Sequence, residues 1–560
     1  MQKNWRIINT DERIVSTLIK GLDLNEIFAK ILVNRGIKNI NQAKHFLNAN
    51  LESGLHDPMH LPDMKKSVAR IKKAIDKKEN ILIFSDYDVD GVTSCAVLKS
   101  AFLKLGINPK TMFPHRLKEG YGINKNAIDF ARQEKIDLFI SLDSGTTNHK
   151  EIKALNNFGI DVIVVDHHHV GEELPSVVGL INPRRKDNAY PYLDLASVGL
   201  TYKLAQALLG SHLEEELDLV CLGTIADVVP LDGENRIFVK YGLKYLSETK
   251  RPGLKALIEL ASLKEKNITS RHVSYIIAPR LNASGRIASA DISLELLLTK
   301  SSEKAVELAK KLNEYNKERR AIEEQILEEA ICCVEKEINF KEHRVIVLAK
   351  DNWHQGILGI IASRLVDRFY RPAVVISFEG NLGKGSARSI KNFHILDAIS
   401  QCDEFLEGFG GHRYAAGVTI LRNNVDYFRN HFNKIAQDSL LEEDLYPLLE
   451  IDAEIDLSKL SISLIKNIEM LAPFGANNSV PLLCSRNLKM RGKPMKMSRD
   501  TLKFWVTDGK HTYQALGFGM TQYQNTLEEL DSFDLAYTLG LDDWQGHASL
   551  QLEIKDIKPS

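Results

Sequence analysis

A chain of 560 residues exceeds what one hydrophobic core usually organises, so roughly three or four domains are expected. Its formal net charge of −1 excludes a uniformly basic coat for nucleic acid, but not a local basic groove, because the total averages over domains and omits bound cations. No apolar run approaches the ~18 to 20 residues that cross a bilayer, and the opening Met1-Gln2-Lys3-Asn4-Trp5-Arg6 has no signal-peptide core, so a cytoplasmic protein without membrane contact is expected.

The six cysteines, Cys95, Cys221, Cys332, Cys333, Cys402 and Cys484, form no C-x-x-C pair, which argues for buried thiols over a zinc or redox site. In chain order, residues 1–50 read as a helical segment with short helices around Val15 to Lys20 and Leu24 to Asn34. Within 51–300 the pattern becomes α/β. Ile81 to Phe84, Asp137 to Leu142 and Asp161 to Val165 are apolar runs without polar alternation, separated by helix-like stretches, as in a parallel sheet covered on both faces.

Residues 301–340 carry Val306, Leu308, Leu312, Tyr315, Ile322, Ile326, Ala330 and Val334 mostly at spacings of three and four, which predicts one long amphipathic connector helix. A second α/β domain follows over 341–445, with strands at Arg344 to Leu348 and Ala373 to Ile376 around a helix from about Ile357 to Arg368. Over 446–560 short strand-like segments and turns predict a small β-barrel. The fold class is therefore multidomain α/β: a parallel-sheet domain and a second α/β domain joined by a long helix, plus a C-terminal barrel.

Asp86-x-Asp88-x-Asp90-Gly91, Asp143-Ser144-Gly145 and Asp166-His167-His168-His169 each begin just beyond a predicted strand, where open α/β sheets form their crevice. Asp227, after a largely apolar helix, completes the set. Acids in such positions are also ordinary helix caps. So many carboxylates drawn together repel strongly unless cations or protons compensate. Oxygen donors with one or two imidazoles and no thiolate suit Mn²⁺ or Mg²⁺. Carboxylates able to bridge suggest two ions about 3.5 to 4 Å apart, an arrangement that hydrolyses phosphoesters.

These three motifs resemble those of the DHH phosphoesterase superfamily. From about Asn80 onward the ordering is similar to its branch of bacterial single-strand-specific exonucleases, with DHH, DHHA1 and OB-like domains. The resemblance implies Asp88, Asp90, Asp143, His167 and Asp227 as metal ligands, with Asp143 bridging. It makes His168 a charge stabiliser or proton donor at the scissile phosphate. Asp86 would be a ligand or a catalytic acid orienting its neighbours. His169 lies outside the motif. Val170 and Ala288-Ser289 depart from the family pattern, away from the expected metal shell.

Arg116, Arg280, Arg286 and Arg388 sit in segments rich in glycine or serine, read as loops where a backbone can approach phosphate; surface ion pairing is their alternative fate. Gly385 to Ser389 and Gly410 to Gly417 resemble strand-binding loops of a DHHA1 domain, which implies 5′-end recognition by Ser386, Arg388 and His412, with Arg116 and Arg280 close behind. In the barrel, Lys489, Arg491, Lys493, Lys496, Arg499 and Lys503 precede Phe504 and Trp505, a mixture suited to single strands. Phe504 and Trp505 point to opposite faces, so at least one belongs to the core; Tyr523 and Trp544 are similarly ambiguous.

The family further implies 5′-to-3′ hydrolysis of single-stranded DNA to 5′ mononucleotides in repair and recombination, with a single-strand-binding protein and a DNA helicase as partners. Its rivals are an oligoribonuclease or cyclic-dinucleotide phosphodiesterase of the same superfamily, a non-catalytic DNA-binding replication scaffold, and a pyrophosphatase.

Overall fold

The structure is a computed structural model that describes residues 3–498, 500–542 and 549–560; Arg499 and Trp544 lie outside the described residues. It divides into two compact units, one of residues 56–229 and 241–447, the other of residues 3–55, 230–240 and 448–560. Both units draw on segments distant in sequence, so they do not coincide with the five consecutive segments read from the chain.

In the first unit, strands β1 (Ile81–Ser85), β2 (Lys110–Met112), β3 (Leu138–Leu142), β4 (Asp161–Val165) and β5 (Gly179–Ile181) form a parallel sheet in the order β2-β1-β3-β4-β5. The central strands are buried on both faces, which is why their sequences lack alternation. The chain leaves β1 for β2 and then returns to β3, so the switch point lies between β1 and β3, where such sheets open a crevice at the carboxyl ends of the strands. Helices α1 (Val89–Lys104), α2 (Ser197–Leu209) and α3 (Leu217–Ala226) pack on one another beside the sheet.

Helix α4 (Ala278–Ile287) leads to α5 (Ser302–Glu337), whose 36 residues span about 54 Å. Ser301 caps α5 by accepting from Lys304 N–H. Its buried stripe runs Ala305, Leu308, Ala309, Leu312, Asn316, Arg319, Glu323, Ile326, Ala330, Val334. Val306, counted to the apolar face from spacing, is 46% exposed, because Ala305 takes the inward position. The last turns of α5 join the core of a second sheet.

That sheet comprises β6 (Ile346–Asp351), β7 (Ala373–Glu379), β8 (Leu382–Arg388), β9 (Leu406–His412) and β10 (Ala415–Leu421), in the order β9-β10-β8-β7-β6, with α6 (Leu358–Phe369) against it. β6 and β7 are parallel and the other pairs antiparallel. Two segments expected as loops are therefore strands. Gly383 and Gly385 make room in β8, where an added Cβ would come within 2.8 Å of the Phe378 and Ile376 side chains. Gly410 to Gly417 forms the β9/β10 hairpin. The arginine-bearing Pro279 to Arg286 segment is likewise helical, its proline tolerated in the first turn of α4.

The second unit contains the barrel: β11 (Ala453–Glu454), β12 (Leu483–Met497), β13 (Thr501–Thr507), β14 (Thr512–Phe518), β15 (Phe533–Asp542) and β16 (Ser549–Pro559), in the order β11-β12-β13-β14-β16-β15 and closed by a β12–β15 pairing. The region also holds helix Ile462–Glu469. The N-terminal segment does not stand alone. Helices Glu12–Leu22 and Glu26–Asn34 pack Val15, Leu18, Phe28 and Ile31 into the same core as Phe504, Val506 and Leu552. Strand Asn4–Ile7, unexpected from its charged sequence, pairs in parallel with Leu448–Ile451.

Candidate metal centre

Three adjacent strands end in acids that remain within the hydrogen-bond ladder. Asp86 N–H donates to Leu142 O at 3.3 Å, Asp143 N–H to Val165 O at 2.9 Å, and Asp166 N–H to Ile181 O at 3.1 Å. Asp143 adopts the left-handed conformation (φ 59°) and Gly145 follows at φ 117°, which turns the chain off the sheet. After Asp86 the chain enters α1 so tightly that a Cβ on Gly91 would lie 2.3 Å from Asp86 O.

Asp88 is indeed the cap of α1, accepting from Gly91 N–H at 3.1 Å. The cap occupies one carboxylate oxygen and leaves the other available. Asp90, buried in the first turn of α1, accepts from Ser197 N–H and Val198 N–H at 2.8 Å each, so the amino end of α2 orients its carboxylate. Asp227 directly follows α3.

The ligating atoms fall into overlapping sets: Asp86, Asp88 and Asp143; Asp90, His167 and Asp227; and Asp143, His167 and His168, each within 4.8 Å. His167 Nε2 lies 3.3 Å from Asp143 Oδ1, 3.5 Å from Asp227 Oδ2 and 3.9 Å from Asp90 Oδ2. Asp86 Oδ1, Asp143 Oδ1 and His167 Nε2 are buried without a hydrogen-bond partner. Converging acceptors with no donor among them are what a divalent cation satisfies.

Electrostatics agree. Burial, with Asp88 beside it, pushes Asp90 up to about 7. Burial and neighbouring carboxylates hold Asp86, Asp143 and Asp227 well above the ordinary range. Burial and the His168 charge drive His167 down to about 3, leaving the neutral imidazole that a metal requires. Asp143 belongs to two of the sets, so it can serve two ions.

His168 differs from His167. Its Nδ1 lies 4.0 Å from Asp143 Oδ1 but only 2.7 Å from Asp166 Oδ1, so that nitrogen carries a proton and is not free to ligate. Burial opposes its charge, but the Asp166 hydrogen bond prevails and holds His168 at about 9. Burial likewise pushes Asp166 upward and is overcome by His168, which keeps that carboxyl far below its usual range. His169 is exposed.

Sequence reasoning left Asp166 outside the site, although its Asp-x-His spacing after a strand was the available signal. Asn182, which donates to His168 O at 2.9 Å, gave none. Nor did Tyr121, whose hydroxyl donates to Asp143 O at 2.9 Å and lies 3.0 Å from His168 Nδ1.

In the same unit, a cleft of about 560 Å³ is lined by Tyr87, Arg116, Gly356, Gly359, Ser386 and Phe409, among others. The Arg116 guanidinium sits 4.8 Å over the Tyr87 ring, and Arg388 Nη1 donates to Ser386 Oγ at 3.1 Å. His412 ends β9, its charged form disfavoured by burial and by Arg388. Arg280 is not brought to this cleft: its guanidinium donates to Ile276 O and Asn313 Oδ1, tying α4 to α5. Arg286, six residues on, faces inward instead and donates to Gly356 O at 2.9 Å.

An acid and imidazole cluster at the switch point of a parallel sheet, facing a second domain across a cationic cleft, defines a metal-dependent phosphoesterase of the DHH type. Residues 80–224 match the DHH family, N-terminal domain; 342–438 match the DHHA1 domain; and 451–556 match the RecJ OB domain. The chain belongs to the RecJ family and is a metal-dependent exonuclease. It is 37% identical over 559 residues to the single-stranded-DNA-specific exonuclease RecJ of Bacillus subtilis (strain 168), covering 99% of this chain and 71% of that relative. The RecJ of Haemophilus influenzae is 32% identical, with 92% and 93% covered. The crystal structure of RecJ in complex with Mn²⁺ from Thermus thermophilus superposes with a TM-score of 0.85 at 25% identity, covering 99% of this chain and 79% of that one.

Proposed function

We propose that this chain degrades single-stranded DNA from the 5′ end and releases 5′ mononucleotides, acting in repair and recombination. Asp88, Asp90, Asp143, His167 and Asp227 hold Mn²⁺ or Mg²⁺, Asp86 completes the acid cluster, and Arg116, Ser386, Arg388 and His412 receive the strand's terminal phosphate. The observation that carries this reading is the juxtaposition, in one unit, of donor-free buried acceptors with a cleft lined by the Arg116 guanidinium on one side and by Lys384 and the Ser386 hydroxyl on the other.

Bound divalent ions supply Lewis acidity toward water and the phosphoryl oxygens. The residues themselves position and protonate. Asp166 holds His168 protonated, leaving its other ring nitrogen to donate toward the scissile phosphate or the departing oxygen. Cleavage between phosphorus and the 3′ oxygen leaves the next nucleotide with a 5′ phosphate, so each turnover regenerates the group that Arg116, Ser386 and Arg388 bind. Arginine is suited to that task by its planar set of donors.

The barrel extends the binding surface in this reading. Met495, Met497, Trp505 and Phe518 are exposed on neighbouring strands among Lys489, Arg491, Lys493, Lys496 and Lys503, which supports stacking of bases with neutralisation of phosphates. Functional boundaries at 51–300, 301–340, 341–445 and 446–560 go with this division of labour. A helicase that exposes the strand and a single-strand-binding protein are the partners it calls for, in the cytoplasm. No helix among the described residues is long and apolar enough to cross a membrane.

Digestion of end-labelled single- and double-stranded DNA with Mn²⁺ tests the proposal. Wild type should release labelled mononucleotide from 5′ ends of single strands and Asp143→Ala should not. Activity that persists in Asp143→Ala removes the metal assignment, and release from 3′ ends alone removes the polarity.

A further inference from the structure

Beside the cleft that Arg116 and Ser386 line, and sharing Gly359 with it, lies a second chamber of about 730 Å³, open to solvent and lined by residues of α4, α5 and α6. Five arginines line it: Arg286, Arg319, Arg320, Arg364 and Arg388. Three acids, Glu323, Glu324 and Asp367, leave an excess of two positive charges (five minus three), with Arg388 shared between this chamber and the terminal-phosphate set. Gly359 borders both spaces; a Cβ there would lie 2.9 Å from Arg388 Nη2 and 3.0 Å from Ser386 Oγ, so a side chain at this position would crowd both groups.

The long helix marks this place in its own sequence. Its buried stripe is apolar at both ends but polar at Asn316, Arg319 and Glu323, the middle turns of which Arg319 and Glu323 wall the chamber. Arg319 is nine-tenths buried, yet only its Nη1 is engaged, by Glu323 at 2.7 Å, and its Nε has no partner. Glu323 is already shared with Arg364 Nε at 3.1 Å. Arg286 and Arg388 donate to carbonyl and hydroxyl oxygens, with no carboxylate among the described residues bonded to either. Burial disfavours the charge of Arg286, Arg388 and Arg319; neighbouring cations add to this, Arg116 for Arg286 and Arg388 and Arg320 and Arg364 for Arg319, whose charge Glu323 supports in turn. Cations held together with donors to spare form a built anion site.

We propose that this chamber is a second phosphoryl-binding site, which receives the further phosphates of a 5′-polyphosphorylated strand or a free pyrophosphate. It rests on the 5′-end reading above only for the strand; pyrophosphate tests the chamber by itself. The enzyme would then accept triphosphorylated ends without prior trimming.

Two binding measurements on the full chain, without metal and in chelator, test it. In calorimetry, pyrophosphate should bind at least about tenfold more tightly than orthophosphate. That preference should vanish in Arg320→Ala/Arg364→Ala, whose thermal unfolding is checked alongside. In fluorescence anisotropy, a 5′-triphosphorylated single strand should bind about tenfold more tightly than the 5′-monophosphorylated strand, a ratio that falls toward one in the same variant. No pyrophosphate preference, or one that the variant retains, overturns the chamber. Pyrophosphate binding that persists while 5′-hydroxyl and 5′-monophosphate strands bind alike sustains the chamber and removes end recognition instead.

Discussion

Asp166 accepts the Nδ1 proton of His168 across 2.7 Å, while its second oxygen accepts from Thr146 N–H at 3.1 Å, so one buried carboxylate fixes both the tautomer and the ring plane of the neighbouring imidazole. Asp166 is thus a positioning residue. Replacing it with asparagine should keep the fold but lower kcat by about 10²- to 10⁴-fold. Because the Asp166 bond raises His168 to about 9 against burial, activity that needs protonated His168 falls as pH rises through that value. In Asp166→Asn this falling limb should move to lower pH; an unshifted pH–rate profile counts against the pairing.

Metal and protons compete for the acid cluster. An acid whose folded value is raised takes up protons on folding, so its contribution is present below about 4 and is lost as pH climbs through the folded value. For Asp90 that window ends at about 7, and Asp86, Asp143 and Asp227 shift in the same direction. Metal-free protein should therefore melt at a lower temperature at pH 8 than at pH 6. Mn²⁺ should raise the melting temperature more at pH 8. Scanning calorimetry with chelator and with Mn²⁺ at both pH values decides this, and equal increments would contradict it.

Gly91→Ala forces a methyl group to within 2.3 Å of Asp86 O, at the turn that aims Asp86 and Asp88. Destabilisation of about 1–3 kcal/mol is expected from such overpacking, with Mn²⁺ affinity reduced as the acids shift. Urea titration and Mn²⁺ binding measure the two effects. Normal stability with normal metal affinity would show that the turn is more compliant than its spacing suggests.

Phe504 and Trp505 are adjacent in sequence and opposite in role. Phe504 is fully buried and meets Phe533 edge-on with ring centroids 6.1 Å apart, whereas Trp505 is 43% exposed. Phe504→Ala should cost about 3–5 kcal/mol of stability. Trp505→Ala should leave stability nearly intact and weaken single-strand binding by about 1–3 kcal/mol. Denaturant midpoints and anisotropy separate the two, and a Trp505 variant with unchanged affinity would remove this barrel face from the binding surface.

Strands β1, β3 and β4 were legible because strands buried on both faces have no polar alternation to obscure them, and acids placed directly after such runs converge once the sheet is parallel. Strand β8 was not legible, since glycine and serine disfavour strands in isolation; packing of Gly383 and Gly385 against Phe378 and Ile376 decides the conformation there. Arg280 and Arg286 illustrate the same limit at the site. Both are arginines near glycine or serine, but the packing of α4 on α5 turns one to Asn313 and the other to Gly356.

By itself, the amino-acid order determined the chemistry: which carboxylates and imidazoles exist, that they follow strands, and that so many acids together need cations or protons to compensate them. These are local properties, set by residue type and by spacing along one element. Tertiary structure alone decided which nitrogen of which histidine remains free, which arginine reaches the cleft, and that the middle of the long helix turns polar beside a cationic chamber. Those outcomes depend on burial and on packing between elements; even where the partner is near in sequence, as Asp166 is to His168, only the fold fixes which atoms meet and which stay free.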